Sequence, residues 1–111
     1  MSGAQTVPSW DVPVSTVRTV LNAWADQAGY VLVWPEGIPD FPTQQGRITG
    51  DFYAAVRQLV TGAAHGSYNL YCPLAPKYPS TAYFPDARIE RDEHVILVFA
   101  SPSSQKCPPS R

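Results

Sequence analysis

The stretch Ser15–Trp34, STVRTVLNAWADQAGYVLVW, decides how the rest of the chain is read. Val17, Val20, Leu21, Trp24, Ala25 and Ala28 fall at i, i+3, i+4, i+7, i+8 and i+11, which lines them along one face of an α-helix. Ser15 is of a type that caps a helix start, its hydroxyl accepting from an unpaired N–H of the first turn. Gly29 stands where a left-handed residue closes a helix without steric cost. Directly after it, Tyr30-Val31-Leu32-Val33-Trp34 is an apolar run rich in β-branched and aromatic residues, ended by Pro35. That run predicts a short buried strand. A capped amphipathic helix feeding a strand through one glycine is a packing unit and carries no chemistry of its own.

The same pattern returns downstream. Asp51 is the predicted cap of a second helix, and Phe52, Ala55, Val56, Leu59, Val60 and Ala63 repeat the offsets of the first, with Gly62 as the stop. Two helices with one apolar stripe each, both beside strands, predict two βα-type units sharing one small sheet. Upstream, Trp10–Val14 alternates, with Trp10, Val12 and Val14 on one face; Pro13 cannot donate to a ladder, so this strand is short or at an edge. Residues 35–45 hold three prolines and a glycine and read as a surface loop, and Gly46–Gly50 as a brief strand. Tyr68–Leu74 alternates again, with Tyr68, Leu70, Cys72 and Leu74 inward. Residues 75–86 form a proline- and tyrosine-rich excursion. Arg88–Glu90, a turn at 91–93 and the nearly all-apolar His94–Ala100 read as a terminal hairpin.

The expected architecture is therefore α+β, two helices packed on a small mixed sheet in the order β-α-β-β-α-β-β. Residues 1–9 are expected to be a flexible leader, 10–100 a single interaction domain, and 101–111 a Ser/Pro-rich tail. A length of 111 residues suits one core.

Composition excludes several functions. A net charge of −1 gives no basic patch with which to displace phosphate counterions, so no nucleic-acid partner is expected. No apolar run is long enough to span a bilayer. Met1–Gln5 lacks the charged and apolar regions of a signal peptide, which leaves open a cytosolic protein or a piece of a longer exported precursor. Gly46 and Gly50 lack the lysine and spacing of a phosphate loop, and no G-x-S-x-G elbow occurs. His65 and His94 have no cysteine or carboxylate at catalytic spacing, so neither catalysis nor a cofactor is expected. Cys72, Cys107, His65 and His94 could supply four zinc ligands, but without short-range pairs no metal site is expected.

Trp24, on the helix stripe, is expected in the core. Trp34, beside Pro35, and the loop aromatics Tyr78, Tyr83 and Phe84 are the candidates for partner contact, because tyrosines in a proline-stiffened loop lose little entropy when buried. Folding back over the sheet is the alternative for the loop aromatics. The mixed charges of Arg88, Glu90, Arg91, Asp92 and Glu93 read as a solvated hairpin.

Four strings carry a family resemblance: W-D-V-P at 10–13, V-L-N-A-W-A-D-Q-A-G-Y at 20–30, V-L-V-W-P at 31–35 and I-T-G-D-F-Y-A-A-V-R-Q-L-V at 48–60. They resemble the C-terminal domain of the toxin-coregulated pilus biosynthesis protein Q family, which includes pilus lipoproteins of conjugative elements and type IVb pili. That domain is similar in turn to the small N-terminal periplasmic domains of secretins and some TonB-dependent receptors. The resemblance covers residues 10–100 apart from the 75–86 excursion. It implies a non-catalytic accessory role in a pilus, conjugation or secretion apparatus, docked on an outer-membrane secretin or a neighbouring component. It also implies a periplasmic, outer-membrane-associated location, with a lipid anchor upstream. Oxidation is expected in that compartment, which favours a Cys72–Cys107 disulfide; a buried thiol at Cys72 and a stray one at Cys107 are the alternative. The rival function is a periplasmic module that binds peptidoglycan or a small molecule. A deep apolar pocket would mark the rival, and an exposed strand edge or flat aromatic patch would mark docking.

Overall fold

Helix α1 (Val17–Ala28) begins one residue later than its sequence suggests. In the computed structural model, which describes residues 8–72 and 80–107, the cap is Thr16, whose hydroxyl accepts from the Thr19 N–H. Ser15, the expected cap, instead ties the chain to the following loop through its backbone. Its N–H donates to Thr43 Oγ1 at 2.8 Å, and its carbonyl accepts from the Thr43 N–H at 2.9 Å. Gly29 closes the helix at φ 76° as expected. Val17, Val20, Leu21, Trp24 and Ala25 are buried, while Ala28 is exposed because the stripe rotates off the core in the last turn.

Helix α2 (Phe52–Thr61) starts at the predicted cap, Asp51, and ends at Gly62, with Ala55, Val56, Leu59 and Val60 buried. Gly62 is required by shape as well as by its φ of 88°: a Cβ there would lie 2.6 Å from the Ser67 carbonyl oxygen. Ala63 opens a 3-10 turn (Ala63–His65) and is exposed rather than part of the stripe.

The strands are β1 (Ser9–Val12), β2 (Val31–Val33), β3 (Gly46–Thr49), β4 (Ser80–Glu90) and β5 (Val95–Cys107). The element order and α+β class are those expected, but the single expected sheet is two. β1 pairs antiparallel with β3, Trp10 opposite Ile48 and Val12 opposite Gly46. The other sheet has the order β2-β5-β4, with β2 parallel to β5 and β4 antiparallel to it. β1 stops before Pro13, and Val14 is 76% exposed instead of sharing the inner face of Trp10 and Val12.

Both sheets feed one core with the helices: Val12 and Ile48 from the small sheet, Ala87, Ile96 and Val98 from the larger one. Leu21, Val56, Val60, Ile96 and Val98 are fully buried, each worth about 1.5–3 kcal/mol relative to exposure. An aromatic row runs along one side of the core, with ring centres 5.4 Å apart between Trp24 and Trp10, 5.3 Å between Trp10 and Phe52, and 5.4 Å between Phe52 and Tyr30.

Three further expectations are corrected after α2. Tyr68–Cys72 is not a strand, and its faces are reversed: Asn69 is buried, while Tyr68, Leu70 and Cys72 are exposed. The cause is the end of α2, whose unpaired carbonyls need donors. The Asn69 N–H donates to Thr61 O at 2.8 Å and its Nδ2 to Val60 O at 3.2 Å, which fixes that side chain inward. The excursion is a strand from Ser80 onward, and residues 101–107, read as tail, continue β5 to Cys107. Tyr78, Leu74, the leader 1–7 and the last residues 108–111 lie outside the described residues.

Candidate functional site

β2 and its register with β5 create the candidate site. Val31 lies opposite Val95, Leu32 opposite Ile96 and Val33 opposite Leu97. Side chains alternate across a sheet, so Leu32, Ile96 and Val98 turn toward the helices, and Val31, Val33, Val95, Leu97 and Phe99 turn away. Ile96 and Val98 are fully buried, whereas Val31 is 63%, Val33 40% and Phe99 38% exposed. Val95 and Leu97 are half-buried. The expected buried strand at 30–34 is thus an edge strand, covered on one face alone. Its outer face joins β5 in an apolar strip two strands wide.

The β2 edge itself is open. The Val31 N–H donates to His94 O across the ladder at 2.8 Å. In a parallel pair the intervening residue turns its peptide groups the other way, so the Leu32 N–H and C=O face outward, with no backbone partner among the described residues. The opposite edge of the same sheet is closed. Tyr83 exchanges two backbone hydrogen bonds of 2.8 Å with Tyr71. Pro85 has no N–H, and the Ala87 N–H donates to Asp86 Oδ1 at 2.8 Å. Asp86 is held in turn by Arg57, whose Nε and Nη2 donate to its two oxygens at 3.1 and 3.0 Å. Those hydrogen bonds to Asp86 hold the Arg57 guanidinium pKa above its usual value. Strand edges left open invite pairing, and folded proteins close those not used for it.

The residues singled out in the sequence are dispersed. Trp34 is half-buried against the core, and its indole N–H donates to Ile38 O at 2.8 Å. Tyr83 and Phe84 are neighbours on β4 and therefore face opposite ways. Tyr83 lies near Tyr71, ring centres 6.5 Å apart. Phe84 stacks on Tyr68 at 4.5 Å with planes 7° apart, on the face that carries Phe99. Cys72 and Cys107 are joined by a disulfide, Cα atoms 5.9 Å apart, at the end of the β4–β5 hairpin remote from its turn. With both sulfurs in that bond no thiolate is left for a metal. The outward-facing residues Val31, Val33, Val95, Leu97 and Phe99 escaped the sequence reading because an uninterrupted apolar run reads as buried on both faces. The available signal was the supply of helices, whose two stripes suffice for one face.

The clefts are small. One of ≈ 150 Å³ has Val12, Val17, Ile48 and Leu59 in its lining. Another, of ≈ 350 Å³, is an open trough between Tyr68, Phe84 and the β5 residues Pro102–Gln105. A third, of ≈ 330 Å³, includes Arg57 and Asp86, which already bind each other. Ligand sites are typically about 300–1,000 Å³, enclosed, with free polar groups converging on the ligand. These three are open or shallow, and the polar pair in the last is already satisfied.

The comparisons bear on the same residues. No curated protein and no solved structure matches the chain. The family model described as toxin co-regulated pilus biosynthesis protein Q matches residues 8–77, which takes in both helices, β1, β2 and β3 and leaves the β4–β5 hairpin outside. A match of that extent, across the two helix units on which the resemblance rests, means that the chain belongs to the toxin co-regulated pilus biosynthesis protein Q family.

Proposed function

We propose that this domain is a non-catalytic accessory module of a type IV pilus or conjugation apparatus that docks onto an outer-membrane secretin or a neighbouring component. The observation that carries this reading is the pairing of an open strand edge at Leu32 with an outward apolar strip in which Val31, Val33 and Phe99 are exposed and Val95 and Leu97 half-buried. A partner strand laid along β2 would satisfy the free peptide groups, and its apolar side chains would cover the strip. Trp34 at the end of β2 and Phe84 at the far side of the strip frame the contact. Tyr83 lies on the other face of β4, beside Tyr71 at the closed edge. The proposed location is periplasmic and outer-membrane-associated; the disulfide supports the oxidising compartment, since such bonds persist there.

The test is capture of purified secretin periplasmic fragments by the oxidised domain. Binding is expected to survive moderate salt, because the strip is uncharged. It should be lost in Val31→Asp and Phe99→Asp variants whose melting temperatures are unchanged, and weakened in Trp34→Ala and in the Tyr83→Ala/Phe84→Ala pair. Full binding by both aspartate variants would refute the surface. Capture of peptidoglycan fragments with no secretin fragment bound would favour the rival.

A further inference from the structure

β2 and its two flanking residues form a strand that is its own complement. From Tyr30 to Trp34 the side chains run aromatic, valine, leucine, valine, aromatic, and the order is the same when read backwards. Burial alternates along it. Tyr30, Leu32 and Trp34 are half-buried against the core, while Val31 and Val33 are exposed. Such symmetry has no bearing on the pairing with β5, which is parallel. It matters only for an antiparallel partner of the same sequence.

The peptide groups have the same symmetry. Those that face outward belong to Leu32 and, by the same alternation, to Tyr30 and Trp34. The Tyr30 N–H is already bonded to Ala25 O at 2.8 Å, closing α1. The Tyr30 carbonyl, both groups of Leu32 and the Trp34 N–H have no backbone partner among the described residues. A two-fold axis at Leu32 matches this set to itself. The two Leu32 residues exchange both their hydrogen bonds, and the Trp34 N–H of each copy donates to the Tyr30 carbonyl of the other. Val31 of one copy then faces Val33 of the other at a non-hydrogen-bonded position, where side chains lie closest. On the helix side Tyr30 faces Trp34, and aromatic pairs directly across antiparallel strands stabilise them. Residues 30–34 carry no charge, so self-pairing sets no like charges opposite each other.

We infer that, without a docking partner, the β2 edge is closed by a second copy of this chain, the two strands pairing antiparallel about a two-fold axis at Leu32. Assembly stops at two copies, because a symmetric pair occupies both β2 edges and the β4 edge is already closed. Edge pairing over so few residues buries less than the roughly 1,000 Å² of a stable interface, so the pair is weak and exchanges readily. Both occupants need the same Leu32 groups and exclude each other. That exclusion rests on the docking reading, whereas self-pairing rests on the strand alone.

The experiment is sedimentation velocity on the oxidised chain alone from about 10 µM to 1 mM, since interfaces below standard size bind more weakly than about 1 µM. The parent is expected to pass from monomer to dimer across that range, with the Leu32 and Trp34 amides gaining hydrogen-exchange protection as concentration rises. Two double variants fix the register. Val31→Lys/Val33→Lys sets lysine opposite lysine and should dimerise roughly tenfold or more weakly. Val31→Lys/Val33→Glu sets lysine opposite glutamate in this register, and opposite lysine in a parallel one, and should dimerise as the parent does. Equal melting temperatures check that both variants are folded. The inference is overturned if the parent stays monomeric to the top of the range, if the two variants dimerise equally, or if the dimer leaves Leu32 protection unchanged. Capture of a secretin fragment by a parent that stays monomeric overturns this inference alone. A dimer that no secretin fragment displaces or binds keeps the self-pair and overturns the docking reading.

Discussion

Reduction of the Cys72–Cys107 bond is the perturbation whose size the structure allows to be worked out. The cysteines are 35 residues apart, and closing a loop of that length removes denatured-state entropy worth about 3.8 kcal/mol at 25 °C in the chain-entropy treatment. Domain stabilities are about 5–15 kcal/mol, so the loss is a large share of the total. The structure also says where it is felt. The bond ties Cys72 to the last residue of β5, next to the Tyr71–Tyr83 bridge, where β4 shifts register between Thr81 and Tyr83. That end of the hairpin packs on the Tyr68–Cys72 segment and not on the buried faces of α1 and α2. Reduction should therefore melt it before the core opens. Urea titration of oxidised and reduced protein, with hydrogen exchange on both, is the assay. The expected result is a stability loss near the figure above, a larger m-value because the unfolded chain expands, and lost protection at Thr81–Tyr83 and Ser103–Cys107 with Leu21 and Val56 amides still protected. A loss under about 1 kcal/mol, well below the loop-closure value, or equal loss of protection in α1, would refute the reasoning.

Further outcomes are expected. Leu21→Ala and Leu59→Ala, both buried mid-helix, should each cost about 2–5 kcal/mol in urea titrations; a cost under about 0.5 kcal/mol, the surface range, would take that position out of the core. Thr16→Ala should cost about 1 kcal/mol, the usual value of a cap, whereas Ser15→Ala should be near neutral because Ser15 bonds through its backbone; the reverse order would restore Ser15 as the cap. Asp86→Ala should cost about 1–3 kcal/mol, because it strands the buried Ala87 N–H, while the exposed Arg57 donors turn to water, and a melting temperature equal to the parent's would show the β4 edge needs no such closure. Burial first and Tyr83 second raise the Tyr71 pKa, and the Tyr53 hydrogen bond first raises that of Tyr30. Both shifts mean that the folded state binds these protons more tightly. Stability should hold below the ordinary tyrosine value near 10 and fall as pH rises through and above it, and Tyr71→Phe should flatten that fall.

The helices were legible because their information is local. Six apolar residues at helical offsets, a cap and a glycine recur in both, and each helix ends where its glycine takes a left-handed φ. The strands were legible in order and not in partnership. Nothing in Tyr30–Trp34 states that its neighbour is Val95–Leu97, more than sixty residues away, or that no layer of the described residues covers its second face. The Tyr68–Leu74 alternation failed for a related reason: the carbonyls at the end of α2 drew Asn69 inward, against the apolar pattern on either side of it. Tyr83 and Phe84 were read as one loop patch, whereas strand geometry sends them to opposite faces. The open peptide groups of Leu32 leave no trace in residue type at all, because every residue but proline carries both.

The proposed docking face is divided between two parts of the chain. Val31 and Val33 lie inside the region matched by the family model, residues 8–77, and Val95, Leu97, Phe99 and Phe84 lie beyond it in the hairpin. The β1–α2 part buries its stripes in the core and positions β2 through Gly29, so it acts as the mount. The hairpin supplies the exposed Phe99 and the half-buried Val95, Leu97 and Phe84, and contains the closed edge at Tyr83–Ala87. A partner strand is thereby confined to the β2 side, where Val31 and Val33 of the mount and the hairpin side chains would meet it together. Exchanging Leu97 and Phe99 for serine in the folded, oxidised chain should consequently change which secretin fragments are captured while leaving α1 and α2 protected from exchange. Capture unchanged across a panel of fragments would assign recognition to β2 alone.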